Sequence, residues 1–293
     1  MLEFREIDYS KDIPEIVDLL RTSLSETNDK EHFLWKHYKN PFGKSYGLLA
    51  FDEEKIVGVR MFMFWDFYGE GEIVKAIRPV DTITDPDYRG KGIFKKLTLQ
   101  GLEECQGKFD IIFNTPNKNS KPGYLKMGWK EYPTPLIFKV ALVLPVVSKK
   151  IKLTSLPVSK LSLTNLYLNQ TGFHTHVTKE FIYWRYNDPV YKAAVVEIRD
   201  KEIIIIYRTK TIKAIRTLVI MEVLGNKDHR SLALRRLCFY LNIYTVYYLG
   251  NKFTSLKFRL SGNRDKPVVV YRDDEKGAID EIHFSAGDLE GRL

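Results

Sequence analysis

The sequence is nearly free of cysteine: Cys105 and Cys238 are the two present, far apart in the chain. That excludes a disulfide framework and leaves no cysteine spacing for a zinc site. His174 and His176 could share a strand face, yet no carboxylate or thiol stands near them to complete a ligand set, so no metal is expected. Long apolar runs are missing as well. The longest, Val140 to Val147, contains Pro145 and falls well short of the ~20 residues that span a bilayer. No low-complexity tract occurs, which argues against a disordered segment. Acidic residues are the scarcer charge, 37 Asp and Glu against 46 Lys and Arg, for a net charge of +9. An excess of that sign favours an anionic partner. The basic residues are scattered rather than interleaved with aromatics, so a phosphorylated cofactor is expected before nucleic acid. No secretion signal opens the chain, and a soluble, cytoplasmic protein is expected.

What is present is an alternation of extended and helical patterns. At 293 residues with 44% apolar content, the chain is long enough for two cores. Leu2, Phe4 and Ile7 suggest a strand. Ile13, Ile16, Val17, Leu19 and Leu20 then line one helix face, with Ser10 as the N-cap and Pro14 in the first turn. Phe33 to Tyr38 predicts a second helix, stopped at Asn40-Pro41. Two apolar runs, Tyr46 to Phe51 and Ile56 to Phe64, flank a polar turn and predict a hairpin. Val80 to Thr84 and Phe109 to Thr115 predict further strands, separated by a helix carrying Phe94, Leu97, Gly101, Leu102 and Cys105. The order is that of a mixed α/β fold.

The join between the Val80–Thr84 strand and the next helix is the most informative stretch. Arg89, Gly90, Lys91 and Gly92 make a basic, glycine-rich turn that runs into Ile93 and Phe94. Backbone N–H groups of such a turn converge with the helix N-terminus on an anion, and glycines let the backbone come close to it. No Lys-Ser/Thr pair follows at nucleotide-loop spacing, and the three-glycine dinucleotide pattern is incomplete.

Tyr88-Arg89-Gly90-Lys91-Gly92-Ile93 resembles the CoA-binding motif of the GNAT-type N-acetyltransferases, in which the turn amides hold the CoA pyrophosphate. Phe94 stands where that family usually has a small residue, a departure that predicts different helix packing at the turn. A second region, Thr115 to Tyr124 followed by Gly128-Trp129, resembles the family's next conserved segment. The resemblance implies that Asn117, with Ser120 on the same loop, binds the pantetheine arm, and that the Tyr124 hydroxyl sits beside the CoA sulfur. It covers about residues 1–145 and implies acetyl-CoA, or another acyl-CoA, as co-substrate, with the primary amine of a small metabolite or amino sugar as acceptor.

Acyl transfer from a thioester needs a donor for the carbonyl oxygen as it gains charge. In the family this is a backbone N–H on the strand before the turn, here within Thr82, Ile83 and Thr84. The leaving thiolate needs a proton, and Tyr124 is the matching donor. The base that deprotonates the amine is less evident, since Arg78-Pro79 occupy the neighbourhood where many relatives carry a Glu. Asp81 is the nearest carboxylate on the strand. In an apolar central strand it is costly unless partnered, so it is either functional or held by Arg78 or Lys75.

The second half repeats the first. Phe181, Tyr186 and Pro189 recur at the separations of Phe33, Tyr38 and Pro41, followed by a hairpin, a strand, Asp228-His229-Arg230 and a helix. After Arg230 come Ser231, Leu232 and Ala233 with no glycine, and Phe258 stands where the first copy has Tyr124. Two tandem GNAT-like domains are therefore expected, each a mixed sheet flanked by helices. The first is a CoA-binding catalytic domain over 1–145 and the last a degenerate copy over 179–293. Residues 146–178, which mix prolines and lysines with spaced leucines, are expected to connect them. Two other readings stay open, an aminoacyl or peptidyl transferase of the two-domain GNAT-like type and a non-catalytic CoA-binding protein.

Overall fold

The computed structural model of the chain describes residues 2–23, 29–148, 150–163, 172–250, 262–274 and 277–289. The first part runs β1 (Glu3–Glu6), α1 (Ile13–Ser23), α2 (Lys30–His37), β2 (Tyr46–Asp52), β3 (Lys55–Gly69) and β4 (Glu72–Thr84). It continues through α3 (Ile93–Glu104), β5 (Ile111–Asn114), α4 (Lys121–Lys126) and β6 (Lys130–Glu131). Next come β7 (Phe138–Leu142), β8 (Lys152–Pro157), β9 (His174–Thr175), α5 (Lys179–Arg185), β10 (Lys192–Ile198) and β11 (Lys201–Ile212). The last elements are β12 (Ile215–Gly225), α6 (Arg230–Leu241), β13 (Thr245–Leu249), β14 (Gly262–Asp265), β15 (Val270–Arg272) and α7 (Ala286–Leu289). Helix α1 begins at Ile13, later than an N-cap at Ser10 requires; the Ser10 hydroxyl instead donates to Asp8 Oδ1 at 2.6 Å.

Two mixed sheets account for most of these strands. One has the order β1-β2-β3-β4-β5-β15-β6 and the other β8-β10-β11-β12-β13-β7-β14. Position by position the two orders correspond, antiparallel through the first four strands and then parallel between β4 and β5, as between β12 and β13. The protein thus has a mixed α/β fold built from two sheets of matching strand order, the tandem arrangement expected from the repeat.

The strand beside the parallel pair comes, in each sheet, from the other half of the sequence. Tyr271 of β15 pairs with Phe113 of β5 in the first sheet, and Val140 of β7 pairs with Tyr247 of β13 in the second. Val270 is fully buried in the first core with Ile77, Ile112 and Leu97, and Ala141 in the second with Val246 and Leu218. The compact units are accordingly Met1–Pro133 with Val268–Ile282, and Thr134–Pro267 with His283–Arg292. These differ from the expected bounds at 145 and 179. The expected connector contains β8, an edge strand paired with β10 from Lys152↔Glu197 to Pro157↔Lys192. Its lysines and prolines are what an exposed sheet edge tolerates, and they imitate a linker.

Candidate active site

In the first unit the core places one strand and one turn. Helix α3 lies close on β3, where a Cβ on Gly101 would strike the Phe62 ring. Ahead of α3 the chain makes a tight turn at Pro86–Tyr88, tied to the β2–β3 hairpin at three points. Asp85 N–H donates to Val57 O at 2.9 Å, Lys55 Nζ meets Asp85 Oδ2 at 2.7 Å, and the Tyr88 hydroxyl donates to Asp52 Oδ2 at 2.7 Å.

Gly90 and Gly92 follow with φ of +79° and +77°, a left-handed conformation that disfavours any residue with a Cβ. A Cβ built on either would meet no atom within 4 Å, so both face open space. Gly92 is the N-cap of α3. The Arg89 N–H is taken by Pro86 O at 3.3 Å, whereas among the described residues the N–H groups of Gly90, Lys91, Gly92, Ile93 and Phe94 have no protein acceptor. The cradle therefore starts one residue later than the Arg89–Phe94 span expected from sequence. Lys91 Nζ lies over the Tyr88 ring at 4.3 Å, and Lys95 and Lys96 line a groove that leaves Gly92 along α3. Open amides, a helix N-terminus and positive charge fit a phosphorylated ligand.

Strand β4 carries a bulge just before the turn. Its register with β3 passes from Val59↔Ile83 to Met61↔Val80, leaving Asp81 and Thr82 opposite Arg60. Asp81 takes φ of +43° at this point. Beyond the Ala76↔Ile111 and Ile77↔Ile112 pairs, β4 and β5 share no ladder, so the strands part ahead of Thr82 and Asn114.

The Asp81 side chain meets α2 rather than Arg78 or Lys75. Lys36 Nζ donates to Oδ1 at 2.8 Å and His37 Nε2 to Oδ2 at 2.7 Å, while His37 Nδ1 lies 3.0 Å from Ser45 Oγ. Burial alone would raise the Asp81 carboxyl, but the Lys36 ammonium and the His37 hydrogen bond outweigh it and hold the group far below the usual carboxylate range. For His37 burial wins over the attraction of Asp81, and the imidazole is pushed below its ordinary value. The ring is neutral at pH 7, with Nε2–H given to Asp81 and Nδ1 left to accept from Ser45. A carboxylate stabilised this far is a poor proton acceptor, which weighs against the base role expected for Asp81. Arg78 is buried against the Trp65 and Phe113 rings, at 5.1 and 4.8 Å.

Tyr124, on α4, is buried beside Trp129, with ring centroids 4.8 Å apart. Its hydroxyl lies where β4 and β5 part. Arg60 Nη2 and Asn114 Nδ2 each donate to it at 2.7 Å. The Asn114 amide is oriented by the Thr115 N–H, which donates to Oδ1 at 2.7 Å. Asn117 is exposed, and its Oδ1 accepts from the Asn119 and Ser120 N–H groups, both at 2.9 Å, so its Nδ2 is the part left for a ligand. Ser120 Oγ also bonds Asn117 Oδ1, at 3.1 Å. Arg60 and Asn114 were not anticipated, and their residue types on β3 and β5 carry no motif.

The second unit lacks the cradle. Helix α6 starts at Arg230 itself, straight after the Lys227–His229 turn, with no left-handed residue between. Arg230 is buried and donates to Gly225 O at 3.0 Å, unlike the exposed Arg89 it matches in sequence. Glu222, the counterpart of Asp81, accepts from the Tyr186 hydroxyl at 3.0 Å and from Ser285. A Cβ on Gly287 would strike Tyr186 Oη, so α7 fills this place. Phe258 lies outside the described residues.

Residues 3–132 match the family model described as the acetyltransferase (GNAT) domain. This stretch is a GNAT domain. Among curated proteins none matches the chain. Solved structures share the fold over nearly its whole length. A conserved protein of unknown function from Enterococcus faecalis, described as a probable N-acyltransferase, superposes with a TM-score of 0.76 at 14% identity, covering 94% of this chain and 73% of that one. A GCN5-related N-acetyltransferase from Anabaena variabilis gives 0.74 at 13% identity, with the same two coverages of 94% and 73%. A tandem GNAT protein from the clavulanic acid biosynthesis pathway gives 0.56 at 13%, covering 93% of this chain and 98% of that one. At such identities the likeness is one of fold. Among the described residues no cluster of His, Cys, Asp or Glu could hold a metal, and no helix is long and apolar enough to cross a membrane. Burial pushes both Cys105 and Cys238 up to about 12, so neither thiol is a ready nucleophile.

Proposed function

We propose that the protein is an acyl-CoA-dependent N-acyltransferase, with acetyl-CoA as donor and the primary amine of a small metabolite or amino sugar as acceptor. The observation that carries this reading is the cradle at Gly90–Phe94, whose amides and glycine faces are open. Acyl-CoA supplies a thioester activated toward attack by an amine. The chain's own groups divide the rest of the work. The amides from Gly90 to Phe94 hold the pyrophosphate, with Lys95 adding charge, and Asn117 Nδ2 and Ser120 meet the pantetheine arm. The β4 backbone from Thr82 to Thr84, set by the bulge, supplies the N–H for the carbonyl oxygen. Tyr124 holds its proton at Oη for the leaving sulfur. Asp81, clamped by Lys36 and His37, keeps the bulge in place rather than acting as base. The second unit, without a cradle, is a degenerate copy that does not bind CoA.

Turnover of acetyl-CoA over a panel of primary amines and amino sugars, followed by release of free thiol, tests the proposal. Thiol release that depends on an amine supports it. Binding of acetyl-CoA without turnover on any amine would replace it with the non-catalytic reading.

A further inference from the structure

Arg60 is a fully buried cation with no carboxylate among its hydrogen-bond partners in the described residues. Nη2 donates to the Tyr124 hydroxyl at 2.7 Å, Nη1 donates to Thr82 Oγ1, and Nε is buried without an acceptor. A buried charge is costly unless something compensates it. The partial compensation visible is aromatic: the guanidinium carbon lies 5.4 Å from the Phe94 ring centroid, 5.4 Å from that of Tyr124 and 5.7 Å from that of Phe62. Phe94 also meets Tyr124 edge-on at 5.7 Å. The bulky residue at a position usually small is therefore part of this cluster, and it walls the guanidinium in.

A phenol has one proton and two lone pairs. Arg60 and Asn114 are obligate donors here, Asn114 because its oxygen already accepts the Thr115 N–H, so both lone pairs are taken. The Tyr124 proton is left to point away from both donors. We propose that Arg60 is a positioning residue for Tyr124. It turns the O–H toward the opening between β4 and β5, and it balances the charge on Oη once the proton has gone. This rests on the acyltransferase reading above. A C–N bond forms at the thioester carbon as its C–S bond breaks; the O–H bond of Tyr124 breaks, its electron pair stays on Oη beside the guanidinium, and an S–H bond forms on the leaving sulfur. The proton that the acceptor nitrogen loses on amide formation restores the hydroxyl. Until then the buried cation has an anion beside it, which it lacks at rest.

The test combines binding and turnover in wild type, Arg60→Gln, Tyr124→Phe and the double variant. Calorimetry with CoA and with desulfo-CoA, which lacks the thiol, reads the hydroxyl's orientation without any chemistry. Wild type should prefer CoA by about three- to tenfold, the size of one hydrogen bond, and either single variant should lose that preference. In turnover, Arg60→Gln should lower kcat by about 100-fold with KM for acetyl-CoA changed little, and the loss should vanish when Tyr124→Phe is already present. Retention of the thiol preference in Arg60→Gln, or equal losses with and without the Tyr124 hydroxyl, overturns the proposal. So does failure of both Arg60→Gln and Arg60→Met to fold, because Arg60 then serves the core. A wild type that neither binds CoA nor turns over acetyl-CoA overturns the acyltransferase reading and this inference with it. A wild type that does both, with Arg60→Gln unchanged, overturns the inference alone.

Discussion

Asp81 Oδ2 lies 2.7 Å from His37 Nε2, although 44 residues separate them in sequence. That bond, with the one from Lys36 Nζ at 2.8 Å, fastens the bulge of β4 to α2. Lys36 is 4% exposed, so removing its carboxylate leaves an ammonium buried without its counter-charge. Asp81→Ala should cost about 3 kcal/mol of stability, read by urea denaturation. A loss below about 1 kcal/mol would show that the clamp is not what holds the bulge.

The same cluster sets a pH dependence. His37 has a depressed pKa in the folded protein, so the unfolded chain takes up its proton first, near pH 6.5. Stability from this source is complete above about pH 6.5 and is lost as the pH falls through that value. Asp81 is also depressed, which contributes stability above about pH 4 that is lost in stronger acid. The urea midpoint should therefore fall between about pH 7.5 and pH 5.5, and less so in His37→Gln. Equal slopes for the two proteins would contradict the assignment.

Tyr124→Phe leaves two buried donors, Arg60 Nη2 and Asn114 Nδ2, without their acceptor. It should lower kcat by about 100-fold and also cost about 1–3 kcal/mol of stability. Initial rates beside a denaturation curve separate the two effects. Unchanged turnover would remove the hydroxyl from the chemistry.

The strand exchange makes a prediction about the chain as a whole. A fragment of residues 1–145 lacks β15 and carries β7 without its sheet, and residues 146–293 have the reverse fault. Neither should fold alone, by circular dichroism and dispersion of amide resonances, and the two should refold on mixing. Cooperative unfolding of either fragment by itself would contradict the exchange.

Local patterns in the sequence carried the strand, glycine turn and helix around residues 80–105, because period and turn chemistry are local. The repeat was legible for the same reason. What stayed hidden depends on distant partners. Asp81 was expected to be either functional or held by Arg78 or Lys75, its neighbours on the strand, but the bulge hands it to Lys36 and His37 of α2. Arg60 on β3 reads as one more basic residue until β4 and α4 close around it. The exchange of β7 and β15 left no trace, since a short apolar run does not say which sheet it joins.

On the reading proposed above, the open glycine turn binds CoA. Titration of acetyl-CoA into wild type and into Gly90→Leu/Gly92→Leu, with circular dichroism of both, tests it most directly. Each leucine must adopt or escape a left-handed backbone at a cost of about 1–2 kcal/mol, but neither Cβ has a neighbour to strike, so the fold should persist. Wild type should bind saturably, and the folded variant at least about 100-fold more weakly, a difference near 2.7 kcal/mol. No binding by the wild type, or equal affinity in the variant, would contradict it.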